Sequence, residues 1–397
     1  MNLQKKILKN GMTILFEKRD LPVVSVAFAV RNGGINESEG EKGISHFIEH
    51  LLYKGTSTRN AEKIAEEIEK NGGVLNGFTD EEITAYWCKM PSKHIDVALN
   101  VLGDMVKNPL FDEKEIEKER KVIFEEIKMR RDIPSAYVFD EIKNYLYEKP
   151  FGIPLIGSQE TLNSVGRKEI VDKFKRVYQP NNMVLCVVGN TDFDKLVEFA
   201  EKNFGEGKGK VPEFEIKLKN ETRIEKRKGI DQANLILAHH VPVAREKNYA
   251  SYVLNCLMAG GMSSRLFKEI REKRNLAYAV KGEADVNKNF AYNLIWVGTT
   301  KENVEHVKKI ILEEFEKVSK ELNEKELKQV KEQLIGNYHI SMEDSQTQMI
   351  NLLLSEIHGN AEDFYEFEKD ISAVKLEEVK KLAKIKNYSF FALVPEE

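Results

Sequence analysis

The chain has 397 residues, 41% hydrophobic and 32% charged, with a formal net charge of −4. That length exceeds one ordinary domain and suits two or three. The composition excludes a disordered chain, and the near-balanced charge gives no bulk attraction to nucleic acid or anionic lipid. No apolar run approaches the ~20 residues of a membrane span, and the first residues, Met1-Asn2-Leu3-Gln4-Lys5-Lys6, open no apolar signal segment. Cys88, Cys186 and Cys256 are far apart and odd in number, so they read as buried free thiols rather than a disulfide framework. The expectation is a cytoplasmic protein with neither a membrane nor a nucleic-acid partner.

In chain order, residues 8–16 read as strand text with Asn10-Gly11 at a turn, and 23–30 as a valine-rich strand. Helical periodicity covers 43–54, 61–70, 94–106, 113–131 and 168–177, with further strands at 83–90 and 183–188. Glycines and lysines at 205–210, then Pro212 and the charged stretch 217–228, form a linker signature. No strand runs into a helix-opening Gly-Lys-Ser/Thr here, so a phosphate loop is excluded. The second half repeats the plan, with strands at 233–238, 278–286 and 292–298, a helix after 246, and an amphipathic helix pair within 301–335. Residues 45–55 (S-H-F-I-E-H-L-L-Y-K-G) and 251–261 (S-Y-V-L-N-C-L-M-A-G-G) align without a gap, which points to a duplicated module.

The first of these two helices carries the chemistry. Ile44, Phe47, Ile48, Leu51 and Leu52 complete a core-facing stripe, and His46, Glu49, His50 and Tyr53 occupy the neighbouring face. Histidines at i and i+4 stand roughly 5–6 Å apart at Cβ, which suits two imidazoles on one metal. Neutral imidazoles with an open position point to zinc, and Glu49 lies within reach of a water on it. In the second copy the polar triplet has become Tyr252, Asn255 and Cys256. A catalytic zinc needs a third protein ligand. The acid-rich helix 113–131 offers Glu119 and Glu126, seven apart on one face beside Ile116, Ile123 and Ile127; spacing does not choose between Glu125 and Glu126.

His46-Phe-Ile-Glu49-His50, followed by Glu119-Arg-Lys-Val-Ile-Phe-Glu-Glu126, resembles the inverted zinc motif of the pitrilysin family, the inverzincins. That family includes insulin-degrading enzyme and the mitochondrial processing peptidase. The resemblance runs along the chain through Asn32-Gly33-Gly34, Asn76-Gly77-Phe78-Thr79, Pro180-Asn181-Asn182-Met183 and Arg271…Tyr278. It implies that His46, His50 and Glu126 bind one zinc per subunit, that Glu49 is the general base, and that Glu119 is an acidic residue steadying a histidine ligand. Arg271 and Tyr278 would stabilise the oxyanion, and Asn76 would contact the substrate backbone. The implied activity is zinc-dependent endopeptidase cleavage of short or unfolded peptides.

Long relatives fuse two such halves around a chamber, so a chain of this size implies a homodimer in which Arg271 and Tyr278 complete the partner's site. A non-catalytic or accessory subunit of a processing-peptidase-like heteromer is the alternative. The fold expectation is α+β: two duplicated domains, 1–210 and 219–397, each an antiparallel-rich sheet flanked by helices.

Overall fold

The valine-rich run is the centre of the first sheet. In the computed structural model, which describes residues 3–396, Val23–Val30 forms a strand flanked on both sides and buried over nearly its whole length. The sheet comprises β1 (Leu3–Ile7), β2 (Thr13–Lys18), β3 (Val23–Val30), β4 (Val74–Thr79), β5 (Thr84–Pro91) and β6 (Met183–Gly189), in the order β1-β2-β6-β3-β5-β4. Only β2 and β6 pair in parallel. Gly11, at φ 88°, supplies the left-handed turn residue before β2.

The second sheet comprises β7 (Thr222–Arg227), β8 (Ala233–His240), β9 (Ala277–Val286), β10 (Ala291–Thr299) and β11 (Ser389–Pro395), in the order β7-β11-β8-β10-β9. Again only the pair β7 and β11 is parallel. Apart from β1, the two sheets have one topology: β2, β6, β3, β5 and β4 correspond to β7, β11, β8, β10 and β9. The duplication seen in one helix therefore extends to strand order and direction, and the α+β class holds. The stretch 217–228, read as linker, contains β7. Its charge suits an exposed edge strand, where Lys, Arg and Glu discourage pairing with another chain.

The first five helices are α1 (Ile44–Leu52), α2 (Ala61–Glu69), α3 (Ile95–Met105), α4 (Glu113–Asp132) and α5 (Pro134–Leu146). α1 buries Ile44, Phe47, Ile48, Leu51 and Leu52, the stripe its periodicity predicts. Its N-terminus is anchored by a buried carboxylate: Glu37 accepts from the backbone N–H of Gly43 at 2.9 Å and of Ser45 at 2.7 Å, where a negative charge meets the positive end of the helix. Gly43 is at φ 95°, and a Cβ there would lie 2.6 Å from the Ile156 carbonyl oxygen, so the helix entry requires glycine.

The compact units are not consecutive stretches like 1–210 and 219–397. One unit joins the chain up to Ile127 with Leu155–Glu215 and Ser341–Phe364; the other joins Lys128–Pro154 with Ile216–Ile340 and the chain from Tyr365. In the first, the helix Ser345–His358 lies on β3 and β6, held by Ser25 Oγ to Ser345 Oγ (2.9 Å) and by Gln348 Nε2 donating to Glu17 (2.8 Å). In the second, α5 lies on β8 and β11, tied by Tyr137 donating to Glu225 (2.9 Å) and by Ser389 donating to the Tyr145 carbonyl (2.7 Å). Since β3 and β6 correspond to β8 and β11, the two halves have traded equivalent helices.

Cys88, Cys186 and Cys256 are buried free thiols, and burial pushes Cys88 up to about 12 and Cys256 to about 11. No helix among the described residues is long and apolar enough to cross a membrane.

His239 on β8 is 4% exposed, packs against Phe315, and has no hydrogen-bond partner at either ring nitrogen among the described residues. Desolvation by burial, with His240 beside it, pulls its pKa down to about 4. A histidine depressed in the fold binds its proton more readily unfolded, so stability is lost as pH falls from about 6.5 to about 4, by about 3 kcal/mol. Denaturant melts across that range should show the loss, and His239→Leu should flatten it.

Candidate metal centre and active site

α1 presents His46 and His50 one turn apart on its half-buried face, with ring centroids 4.7 Å from each other. α4 brings Glu126 to both: its Oε2 lies 3.7 Å from His46 Nε2 and 3.8 Å from His50 Nε2. Among the described residues this is the one group of three or more His, Cys, Asp or Glu side chains able to share a metal, with one donor atom from each within 4.8 Å of the others. Bonds of ~2.0–2.1 Å in a tetrahedron set zinc donors roughly 3.4 Å apart, so the two imidazoles and the carboxylate fit. Glu125, the alternative that spacing left open, is exposed.

The tautomer needed for such a site is also fixed. Glu119, about two α4 turns before Glu126 and 6% exposed, places Oε2 3.2 Å from His50 Nδ1, so the proton on Nδ1 leaves Nε2 free for a metal. Its other oxygen pairs with Lys54 Nζ at 2.8 Å. Burial alone would raise the Glu119 pKa, but hydrogen bonds from His50 and Lys54 outweigh it and hold the carboxyl below its ordinary range.

Glu49 sits between the histidines in sequence and against β4 in space. Thr79 Oγ1 donates to its Oε2 at 2.6 Å. Burial raises its pKa, opposed by Thr79 and His50 and reinforced by Glu126, the direction a base working near neutrality requires. β4 passes so close that Gly77 is obligatory: a Cβ there would lie 2.4 Å from the Tyr53 hydroxyl and 2.8 Å from the Ala85 carbonyl oxygen. β4 is also an edge strand, paired only with β5, and Asn76 is exposed on it with Oδ1 accepting from the Gly77 N–H at 2.8 Å.

Arg271 and Tyr278 belong to the second unit. Arg271 lies in a short π-helical turn, Phe267–Glu272, with its guanidinium 4.9 Å from the Phe267 ring. The surface ion pair that would explain it is absent among the described residues, because Glu269 pairs with Lys273 and Arg274 instead. Asn275, at φ 51°, turns the chain into β9. Tyr278 stands near the start of that edge strand, 51% exposed, its ring edge-on to Trp296 and so close over Gly298 that a Cβ there would lie 2.2 Å from Tyr278 Cζ. The interval of seven thus spans a helix end, a reversal and a strand start.

Thr79 and Gly77 were visible only as parts of a motif; the signal for each is a glycine inside strand text with a hydroxyl two residues on.

Comparisons with known proteins identify the family. Residues 13–159 match Insulinase (Peptidase family M16) and residues 164–334 match the Peptidase M16 inactive domain. The chain is 33% identical over 389 residues to a protein named an uncharacterized zinc protease from Bacillus subtilis (strain 168), covering 96% of this chain and 95% of that protein. It is 35% identical over 345 residues to another uncharacterized zinc protease, from Rickettsia felis, covering 85% and 83% of the two. A crystal structure of a protease from Helicobacter pylori shares the fold with a TM-score of 0.92 at 23% identity, over 99% of this chain and 100% of that one. The chain belongs to peptidase family M16, the insulinase or pitrilysin-like family.

Replacing Glu126 by Gln should weaken zinc binding more than replacing Glu119 by Gln. The latter, which removes only the carboxylate behind His50, should cost about 10–100-fold. Competition against a chromogenic chelator measures both.

Proposed function

We propose that the chain is a zinc-dependent endopeptidase acting on short or unfolded peptides in the cytoplasm. The observation that carries this reading is the convergence of His46, His50 and Glu126, with Glu49 on the same helix and Thr79 holding its carboxylate. A zinc ion, one per subunit, bound by that triad supplies Lewis-acid activation of a water molecule and of the scissile carbonyl. Glu49 accepts a proton from the attacking water and delivers it to the leaving amine. Glu119 keeps His50 in the tautomer that leaves Nε2 available. An extended substrate adds its backbone to the free edge of β4, with Asn76 as a contact, which selects peptides that are not folded.

Arg271 and Tyr278 stabilise the charge developing on the substrate carbonyl oxygen. Both are exposed, and the arginine has no carboxylate partner among the described residues, as donors awaiting a ligand require. The assembly that fits is a homodimer in which this pair completes the site of the partner subunit. The inactive-domain match covers the half that lacks the His-Glu-His face, and the half holding the ligands matches the insulinase domain, which favours a catalytic chain over an accessory one.

A mixed peptide library incubated with and without chelator, read by mass spectrometry, tests the activity. New cleavage products should appear with the zinc-loaded protein and vanish with chelator, and chelator-insensitive cleavage would overturn the reading. Shared sites make a second prediction. Inactive Glu49→Gln and Arg271→Ala proteins, mixed under exchange conditions, should regain up to about a quarter of wild-type activity, because one mixed dimer holds one intact composite site. No recovery would contradict the sharing.

A further inference from the structure

The hydroxyl of Tyr53 is an orphan. Tyr53 caps α1, its ring packs 6.0 Å from that of Tyr86, and its buried Oη has no hydrogen-bond partner among the described residues. Phenylalanine would fill the same space without a buried, unsatisfied donor, so the hydroxyl is retained against stability.

Its surroundings indicate a use. The point where a Cβ on Gly77 would lie is 2.4 Å from Tyr53 Oη and 3.5 Å from Glu49 Oε1. The phenol and the carboxylate oxygen that Thr79 does not hold therefore border the same point beside Gly77, since Thr79 donates to Oε2. Gly77, with no side chain of its own, leaves the phenol room there.

The duplicated module supplies an independent observation. In the gapless register, the core positions Phe47, Ile48, Leu51 and Leu52 become Val253, Leu254, Leu257 and Met258, all apolar. The polar-face positions His46, Glu49, His50 and Tyr53 become Tyr252, Asn255, Cys256 and Ala259. Tyr53 has been lost together with the metal-ligating and basic side chains, whereas core residues have kept their character. It behaves as a member of the site.

We propose that Tyr53 is a positioning residue for Glu49: its hydroxyl donates to Oε1 when peptide occupies the site, so that Thr79 and Tyr53 together hold the carboxylate for proton transfer. The inference rests on the peptidase reading above. The substrate strand lies along β4 beside Gly77, and a turn of the Glu49 carboxylate brings Oε1 to the waiting donor. The bond orients the base and does not touch the peptide, so its loss falls on kcat rather than on KM.

Tyr53→Phe tests it, measured beside Thr79→Val and the double variant in the zinc-loaded full chain. Tyr53→Phe should lower kcat roughly 10–100-fold with KM and zinc content unchanged. It should also raise Tm by about 2–4 °C, because the unsatisfied hydroxyl is gone. The kcat losses of the two single variants should fail to multiply in the double variant, since both act on one carboxylate. Unchanged kcat, a loss carried wholly by KM, or fully multiplicative losses would overturn the proposal. Wild-type protein without zinc-dependent turnover would sink the peptidase reading and this inference with it. Active wild type with an equally active Tyr53→Phe variant would sink the inference alone.

Discussion

Two imidazoles one helical turn apart meet a single carboxylate only if the helix that bears them is fixed in position and rotation. In this protein that constraint governs the first unit. α1 is short, and its apolar stripe is almost wholly inaccessible to solvent, so it has one way to lie on the sheet. The Glu37 carboxylate pins its first turn, and Gly43 allows the chain to enter against the Ile156 backbone. With α1 fixed, α4 needs only to deliver Glu126 and Glu119, seven residues apart, to the Nε2 side and the Nδ1 side of the same histidine.

The same helix occurs twice in the chain, and the contrast separates packing from chemistry. Strand order, strand direction and the stripe beneath the helix are retained in the second copy. The His-Glu-His face is not; Asn255 there turns inward and donates to the carbonyls of Glu283 and Leu294. A core tolerates exchange among apolar residues of similar volume, but nothing in folding demands histidines on that face. What the second copy contributes instead is an exposed arginine and an exposed tyrosine at the head of β9, the counterpart of the strand that runs beside Glu49.

Periodicity made the α1 stripe, the His46–His50 spacing and the helix 113–131 legible, because each is a local property. It failed where the decisive interaction lies elsewhere in the chain. β4 reads poorly as a strand, since V-L-N-G-F-T holds a glycine and an asparagine; Gly77 is there for the approach of Tyr53 and Ala85, not for strand propensity. β7 is nearly all charge and became a strand because β11 offers it an edge. No local signal distinguishes a helix that covers its own sheet from one that covers its sibling's, so the exchange of α5 and Ser345–His358 was invisible. The choice of Glu126 over Glu125 likewise depends on how α4 crosses α1, and Thr79's hold on Glu49 on how β4 lies over it.

On the proposed reading, metal binding and catalysis are carried by different residues of one helix face. Zinc content and peptide turnover of Glu49→Gln, measured side by side with wild type, test it most directly. A full complement of zinc and a loss of turnover by about 1,000-fold or more are expected, because the general base is removed and the ligands stay. Turnover equal to wild type, or loss of the zinc itself, would contradict it.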